Sequence, residues 1–386
     1  MRVLCSFVGG AGHLVPQLPL LRGLADAGHD LTLVGRASGV VGAPAGLFSR
    51  VVARPDARTR VRTEITPLAP VDREAEVDVV ARYFAGDAAR ASAAAVGAAL
   101  DAHDVIVCDE LDFGAMAAGA LAGVPVVVVA IIASGALVRP ERIGGSLETL
   151  GHELGLGRAI GHQGDLFVVP FAPAMRDPRF PAPADAVWMN PGAPRPTGRV
   201  AAQPSVIATL GTEFNTESGD LFDRIINALE GIDVPSVVAI GRDLDPERFR
   251  HGEGQKKTVE MAGECRIGPV RIRQFVDLDA VLPHADLVVH HGGSGVFLRS
   301  VLAGVPQLVL PMGADQPFTG DTVERTGVGR VLDAVTADAG RIRDQARELL
   351  GDAATKDRVE HLRDAVRAFP GPESAVARAE ALAVSG

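Results

Sequence analysis

The chain has 386 residues, of which 47% are hydrophobic and 22% charged, and its formal net charge is −10. This length suits two domains of ordinary size, and the composition is typical of a globular protein. The negative charge excludes a nucleic-acid partner, which would need a basic face. No apolar run approaches the roughly 18 residues of a membrane span. The apolar stretch at the N-terminus is too short for a signal peptide and is interrupted too early by glycine. We therefore expect a cytoplasmic protein without a membrane partner.

The first half alternates short apolar strands with helical patterns, which predicts a parallel sheet with crossover helices. The Gly-rich residues 134–164 predict an insertion of loop and helix. The predicted strands are Arg2–Val8, Asp30–Val34, Asp104–Cys108 and Pro125–Ala130, and the predicted helices are Pro16–Ala27, Val77–Leu100 and Phe113–Ala122.

Residues 193–204 are rich in proline and glycine and predict a linker, after which the same alternation restarts. The predicted strands are Ser205–Leu210, Ser236–Ile240, Arg271–Val276, Leu287–His290 and Gln307–Leu310, and the predicted helices are Glu217–Leu229, Gly293–Ala303, Phe318–Thr326, Asp338–Gly351, Thr355–Ala368 and Glu373–Ala383. The pattern predicts an α/β protein of two facing, doubly wound Rossmann-like domains, 1–192 and 205–370, with a deep cleft between them. The helix in 371–386 is expected to pack back on the N-terminal domain. Ligands are expected at the carboxyl ends of both sheets.

The segment Asp286–Pro317 carries the strongest chemical signal in the sequence. A strand ends at His290-His291, a glycine turn follows, and a helix begins near Ser294. A helix N-terminus offers backbone N–H groups and about half a positive charge, which suits a diphosphate, and a histidine adds one more donor. Asp315-Gln316 follows the next strand on the same rim, where both side chains suit sugar hydroxyls.

This segment resembles the donor signature of family 1 glycosyltransferases with the GT-B fold, in the bacterial branch that decorates polyketides and other natural products, including antibiotics. The matching motifs are HHGGSG at 290–295, GVPQLVLP at 304–311 and ADQ at 314–316. The resemblance implies that His291 contacts the pyrophosphate and that Ser294, Gly295 and Val296 present backbone N–H groups to it, in the donor-binding turn that begins at Gly293. It also implies that Asp315 and Gln316 hold the sugar. Val296 stands where the family usually has threonine, so the hydroxyl contact to phosphate that the family makes there is lost.

Two further segments match the family's donor site. Phe275-Val276 stands where the family has an aromatic residue that stacks on the nucleobase and a residue whose backbone pairs with the base, although Asp277 replaces the usual proline. The alternative for Phe275 is an ordinary core position. Gly211-Thr212 resembles the family's loop that touches the phosphates, with Thr212 as the contact.

The segment Gly9–Pro16 follows the first strand and contains Gly12-His13. A dinucleotide-binding GxGxxG is not completed, since Val15 takes the place of the third glycine. The family's GxxGH matches instead and implies His13 as the catalytic base, with Gly12 at the donor. The ordinary pKa of histidine, about 6.5, suits deprotonation of an alcohol or phenol. A carboxylate should orient this base: Asp109 matches the family position, and Asp112 is the alternative, with helix capping as its other role.

The resemblance implies inverting transfer of a sugar or deoxysugar from a TDP- or UDP-sugar to a hydroxyl of a small hydrophobic aglycone. The N-terminal domain would bind the acceptor and the C-terminal domain the donor. No metal or other cofactor is expected, although Asp243–Asp245 and Asp277–Asp279 both read DxD. Cys5, Cys108 and Cys265 lack the spacing of a metal site, so we interpret them as small, buried apolar residues.

Several alternatives stay open at this point. C-glycosylation could use the same base, and a non-catalytic protein that activates a partner enzyme could share the fold, although it would be expected to lose the donor signature or the base. A GT-B epimerase or hydrolase acting on the nucleotide sugar would need carboxylates near the sugar. A nicotinamide oxidoreductase would need the complete GxGxxG motif. The sugar, the nucleobase, the aglycone and the oligomeric state, for which a homodimer is one option, are not fixed by the sequence.

Overall fold

A computed structural model describes residues 1–55, 64–192, 205–212, 214–250, 257–258 and 264–385; the predicted linker 193–204 lies outside this range. The described residues form two compact units. Residues 1–55, 73–192 and 366–385 belong to the first unit, and residues 64–72 and the described part of 205–365 belong to the second. Within the described part of the chain, every helix falls short of the length and hydrophobicity that a membrane crossing requires.

The first unit is built on a sheet whose seven described strands are all parallel, in the order β3-β2-β1-β4-β5-β6-β7. The strands are β1 Arg2–Ser6, β2 Asp30–Arg36, β3 Arg50–Arg54, β4 Val105–Asp109, β5 Val126–Val129, β6 Leu166–Val169 and β7 Val187–Trp188. The helices are α1 Ala11–Leu14, α2 Leu18–Asp26, α3 Ala37–Val40, α4 Arg73–Val79, α5 Ala89–Ala99, α6 Phe113–Ala122 and α7 Pro140–Glu153.

The central strands β4 and β5 are buried along their whole length, because both faces of this parallel sheet are covered. Strand β1 has β2 on one side and β4 on the other, so the strand order reverses there. Such a reversal opens a crevice at the carboxyl ends of the two strands, and ligands of doubly wound proteins bind there. The segments after β1 and β4 are therefore the natural place for a site in this unit.

The sequence predicts one continuous helix over Val77–Leu100, whereas the structure has an interrupted one. Helix α4 ends at Val79, a π-helical stretch covers Val80–Ala88, and α5 follows. Non-helical backbone angles at Ala85 and Gly86 cause the break. The alanine-rich pattern conceals it, since alanine favours a helix at every position and gives no sign of a change in register.

The second unit is built on a sheet in the order β10-β11-β12-β9-β8-β13-β14-β15 over its described strands. Strands β10, β11 and β12 pair antiparallel at one edge, and the other pairs are parallel. The strands are β8 Val206–Thr209, β9 Ser236–Ala239, β10 Lys257–Thr258, β11 Glu264–Ile267, β12 Val270–Arg273, β13 Leu287–His290, β14 Gln307–Val309 and β15 Gly329–Val331. The helices are α8 Leu221–Glu230, α9 Leu278–Val281, α10 Ser294–Ala303, α11 Gln316–Thr326, α12 Ala339–Leu350 and α13 Ala353–Arg367. The strand order reverses at β8, which lies between β9 and β13.

The described residues 64–72 belong to the second unit, whereas the sequence assigns them to the N-terminal domain. The Thr66 N–H donates to the Thr216 carbonyl at 2.7 Å, and the Thr66 carbonyl accepts from the Gly219 N–H at 3.0 Å. Ile65 and Leu68 pack against the core of the second unit. These backbone hydrogen bonds and apolar contacts explain why this segment belongs to the second unit, although the residues before and after it in sequence belong to the first.

Helix α14 (Pro372–Ser385) completes the first unit. Ala375, Val376 and Ala379 are buried in the core that β1, β2 and α2 also build. The helix crosses α2 at Gly23, where a Cβ would lie 3.1 Å from side-chain atoms of both Pro372 and Val376. The absence of a side chain at Gly23 therefore allows the two helices to approach closely.

Candidate functional site

His13 lies in α1, just beyond the carboxyl end of β1, and Asp109 is the last residue of the neighbouring strand β4. The His13 Nδ1–H donates to Asp109 Oδ1 at 3.1 Å. This bond fixes the tautomer in which Nε2 carries the basic lone pair. The His13 side chain is 18% exposed, whereas Asp109 is fully buried. The arrangement is a histidine oriented by a buried carboxylate.

The Asp109 carboxylate is held by two backbone groups besides His13. Its Oδ2 accepts from the Val8 N–H at 2.9 Å, and its Oδ1 also accepts from the Leu111 N–H at 2.9 Å. Three hydrogen bonds of this kind hold the carboxylate in one orientation. Asp109 therefore presents a fixed acceptor oxygen to His13.

Asp112 has the capping role that the sequence offers as its alternative. Its Oδ1 accepts from the Ala115 N–H at 3.0 Å at the start of α6, and its Oδ2 accepts from the Ser6 hydroxyl at 2.6 Å. Burial and the nearby charge of Asp109 raise the pKa of Asp112. Of the two candidate carboxylates, Asp109 is the one hydrogen-bonded to His13.

The His13 ring is packed between two features of the first unit. The Phe84 ring, from the π-helical stretch, stacks against it with centroids 5.8 Å apart and an interplanar angle of 25°. On Gly9, a Cβ would lie 2.2 Å from His13 Cδ2 and Nε2, so only glycine fits there. Gly12 is exposed on α1, with no atom within 4 Å of the place of a Cβ. Sequence reasoning did not identify Phe84; Gly86 inside an alanine-rich helix is the one signal that marked a break nearby.

Glu110 is a buried acid that the sequence did not select. Its Oε1 accepts from the N–H groups of Ile131 and Ile132, both at 2.6 Å, where the chain leaves β5. Burial raises the pKa of Glu110 to about 7, and the positive charge of Arg176 opposes that shift. The carboxyl group therefore holds the 131–132 segment in place beside the strand that ends at Asp109.

In the second unit, strands β8 and β13 are neighbours, and the loops that follow them bring Gly211 and His291 together. Gly211 has φ +79°, a conformation that other residues rarely adopt, and a Cβ there would lie 2.8 Å from His291 Cε1 and Nε2. The Thr209 hydroxyl accepts from the Gly211 N–H at 3.2 Å. Thr212 follows and is exposed. These loops occupy the place in this unit that the His13 and Asp109 loops occupy in the first.

The paired histidines have different surroundings. His290 is fully buried; its Nδ1 accepts from the Gly292 N–H at 3.1 Å, so Nε2–H donates to Gln307 Oε1 at 2.9 Å. Burial lowers the pKa of His290 to about 3. His290 is thus a neutral structural residue that shapes the glycine turn.

His291 is 8% exposed, and its Nδ1 has no hydrogen-bond partner among the described residues. Burial lowers the pKa of His291 to about 4, and the Thr209 backbone opposes the shift. The side chain is therefore neutral near pH 7. It can donate through one ring N–H, as the sequence expects, but it carries no positive charge of its own.

The N-terminus of α10 differs in detail from the expected cradle of three backbone N–H groups. The Ser294 N–H donates to Asp315 Oδ2 at 3.2 Å, and the Val296 N–H donates to the Gly293 carbonyl at 3.1 Å. Gly293 is the N-cap, and Gly295 is half-buried in the first turn. The Val296 side chain is packed in an apolar cluster with Ile207 and Val288. This packing explains why an apolar residue replaces threonine there.

Asp315 and Gln316 lie at the start of α11 and contact the protein in different ways. Asp315 Oδ2 accepts from the Ser294 hydroxyl at 2.5 Å as well as from its N–H. Gln316 is buried, and its Oε1 accepts from the N–H groups of Met312 and Gly313 at 2.7 and 3.2 Å. The side-chain oxygen of Gln316 therefore fixes the loop before α11, whereas the Asp315 carboxylate is held by Ser294.

Phe275 is 55% exposed, so it is not a core residue. It follows β12, and the Arg242 guanidinium lies over its ring at 4.7 Å from the centroid. Val276 is buried in the apolar cluster of Val296, and Asp277 caps α9 by accepting from the Asp279 N–H at 3.1 Å. An exposed aromatic ring held by its buried neighbour is a suitable surface for stacking a nucleobase.

The two DxD segments serve the local structure. Asp245 accepts from the Glu247 N–H at 2.9 Å, Asp277 caps α9, and Asp279 pairs with Arg299 at 2.8 Å. Among the described residues, no three His, Cys, Asp or Glu side chains are grouped as a metal site would require. The three cysteines, Cys5, Cys108 and Cys265, are buried and unpaired with one another.

The chain is similar to known proteins in sequence and in fold. Residues 259–382 match the family described as erythromycin biosynthesis protein CIII-like, C-terminal domain. The L-demethylnoviosyl transferase of Streptomyces niveus is 27% identical over 369 residues, which are 91% of this chain and 90% of that protein.

Two solved structures cover nearly the whole chain. Glycosyltransferase VinC in complex with DTDP has a TM-score of 0.73 at 21% identity, with all of both chains covered. Spinosyn rhamnosyltransferase SpnG complexed with spinosyn aglycone has a TM-score of 0.74 at 20% identity, covering 98% of this chain and all of the other. Residues 259–382 thus resemble the erythromycin biosynthesis protein CIII-like C-terminal domain family, and the chain as a whole has the two-domain GT-B fold of these solved glycosyltransferases.

Proposed function

We propose that the protein transfers a sugar or deoxysugar, with inversion at the anomeric carbon, from a TDP- or UDP-sugar to a hydroxyl group of a small hydrophobic natural product. The observation that carries this proposal is the bond between His13 and the buried Asp109 at the point where the strand order of the first unit reverses. A histidine with this support is a general base for an alcohol or a phenol.

In the proposed reaction, His13 Nε2 accepts the proton of the acceptor hydroxyl while the acceptor oxygen attacks the anomeric carbon. The bond between that carbon and the diphosphate breaks, and the nucleoside diphosphate leaves with the electron pair. Asp109 stabilises the imidazolium that forms on His13. A single displacement of this kind inverts the anomeric configuration.

The second unit supplies the donor contacts in this proposal. The His291 ring and the α10 N-terminus stabilise the leaving diphosphate through hydrogen-bond donors and the helix dipole, so we propose that no metal ion is required. Phe275 stacks on the nucleobase, and Asp315 and Gln316 lie at the sugar.

The substrate classes follow from the relatives. One of them binds DTDP and another the spinosyn aglycone, which supports a thymidine diphosphate sugar as donor and a hydrophobic polyketide-like acceptor. A half-buried Phe84 beside His13 adds an apolar surface on the acceptor side.

The test begins with a thermal-shift screen of TDP, UDP and their glucose conjugates. Transfer to a panel of phenolic and polyketide acceptors is then followed by mass spectrometry. We expect His13→Ala to abolish transfer and to bind the nucleoside diphosphate as the wild type does. His361→Ala, a change of an exposed histidine on α13, is the matched control and should be fully active. Transfer by His13→Ala at the wild-type rate would refute the proposed mechanism.

A further inference from the structure

The contact between Ser294 and Asp315 joins the two loops of the donor site. Ser294 opens α10 after β13, and Asp315 is the N-cap of α11 after β14. The Ser294 hydroxyl and N–H both donate to Asp315 Oδ2, at 2.5 and 3.2 Å. Ser294 is 5% exposed and Asp315 is half-buried, so this hydrogen bond is partly shielded from water, which strengthens it.

The loop that carries Asp315 is itself under constraint. Ala314 has φ +52°, a left-handed conformation that costs a residue with a side chain roughly 1–2 kcal/mol. The Gln316 Oε1 atom holds the loop in this shape through the N–H groups of Met312 and Gly313. Strained backbone of this kind persists only where the surrounding contacts enforce it.

We propose that Ser294 is a positioning residue, which fixes the Asp315 carboxylate for the sugar of the donor and is not itself a ligand of the diphosphate. The proposal rests on the proposed function and reassigns Ser294 within it. Both Ser294 donors act on a single oxygen of Asp315, so the carboxylate plane and its distance from α10 are set before the donor binds.

A different consequence of the same contact would be competition. If the Asp315 carboxylate occupied the place of a phosphate at the α10 N-terminus, the diphosphate would have to displace it. The two roles predict different effects of removing the Ser294 hydroxyl. If Ser294 positions Asp315, the affinity for the nucleoside diphosphate sugar falls and that for the nucleoside diphosphate does not change. If Asp315 competes with the phosphate, the affinity for the nucleoside diphosphate rises.

The test compares Ser294→Ala with the wild type by calorimetry, using the nucleoside diphosphate that stabilises the protein, TDP or UDP, and its glucose conjugate. We expect the affinity for the nucleoside diphosphate to stay within about twofold and the affinity for the sugar conjugate to fall about tenfold, as for loss of one hydrogen bond to a charged group. Asp315→Asn should give a similar loss, and the double variant should add little to either.

The matched control is Ser300→Ala on the same helix. Ser300 is fully buried, and its hydroxyl donates to the Val296 carbonyl at 2.8 Å within α10. This change should leave both affinities unchanged, which separates positioning from a general loosening of the helix.

Three results would overturn the proposal. Equal weakening of both ligands by Ser294→Ala would make Ser294 a phosphate ligand, tighter binding of the nucleoside diphosphate would establish competition, and two unchanged affinities would remove Ser294 from the site. These results require normal binding by the wild-type protein. A wild type that binds neither ligand would instead contradict the proposed function itself.

Discussion

Replacement of Asp109 by asparagine tests the orientation of the proposed base. Three N–H donors converge on the Asp109 carboxylate, from Val8, Leu111 and His13, at 2.9, 2.9 and 3.1 Å. An amide has one acceptor oxygen, so its NH2 group must face at least one of these donors. The arrangement that loses least keeps the oxygen toward Leu111 and His13 and turns the NH2 group toward Val8.

Asp109→Asn should therefore cost about 2 kcal/mol of unfolding free energy, the value of one lost bond to a charged group with its buried donor left unpaired. The catalytic effect should be larger. Because a neutral amide cannot stabilise the imidazolium, we expect kcat to fall by about 10²–10⁴-fold while the affinity for the nucleoside diphosphate stays constant.

Urea unfolding measures the first quantity, and initial rates of sugar transfer to a phenolic acceptor measure the second. Asp112→Asn is the matched control, because Asp112 is equally buried but binds Ala115 and Ser6. It should lose stability and keep kcat within about threefold of the wild type. A folded Asp109→Asn protein with nearly wild-type kcat would refute the role of Asp109.

Three further predictions concern the surroundings of the site. Because folding raises the pKa of Glu110 from 4.5 to about 7, this carboxyl group ionises at lower pH in the unfolded chain than in the folded one. The unfolding free energy of the wild type should therefore fall by about 3 kcal/mol between pH 4.5 and 7, relative to that of Glu110→Gln. Parallel pH profiles of the two proteins in urea unfolding would contradict this. Phe275→Ala should weaken binding of TDP or UDP by roughly 5–150-fold in calorimetry with little change in stability, since the ring is 55% exposed; unchanged affinity would exclude stacking. Gly9→Ala should displace the His13 ring and lower kcat at least about tenfold, whereas Gly97→Ala, with no atom within 4 Å of the added Cβ, should not; equal rates for the two variants would argue against the packing around His13.

The sequence predicts the parts of the fold in which pattern and local chemistry agree. The strand Leu287–His290 and the helix Phe113–Ala122 have the predicted bounds, because apolar runs end at clear glycine or aspartate signals. The strands Arg50–Arg54 and Gly329–Val331 were not predicted, since the first is mostly exposed and the second only half-buried, so neither forms a continuous apolar run.

The contacts that the sequence could not predict depend on side-chain conformation and on distant segments. The pairing of Ser294 with Asp315 joins two loops 21 residues apart, and neither residue type specifies the other. The stacking of Phe84 on His13 depends on a break in the helix that the alanine-rich pattern conceals. The sequence motifs named the residues of the donor loops but not the bonds among them.

The docking of α14 on α2 bears on how the protein is made. Ala375, Val376 and Ala379 fill part of the core of the first unit, so this core is incomplete until these residues have been synthesised. Domains usually fold in the order of their synthesis, the N-terminal one first. Here the unit that holds His13 cannot complete its core until the residues of the second unit have also been synthesised, and dividing the chain between the two units would remove α14 from that core.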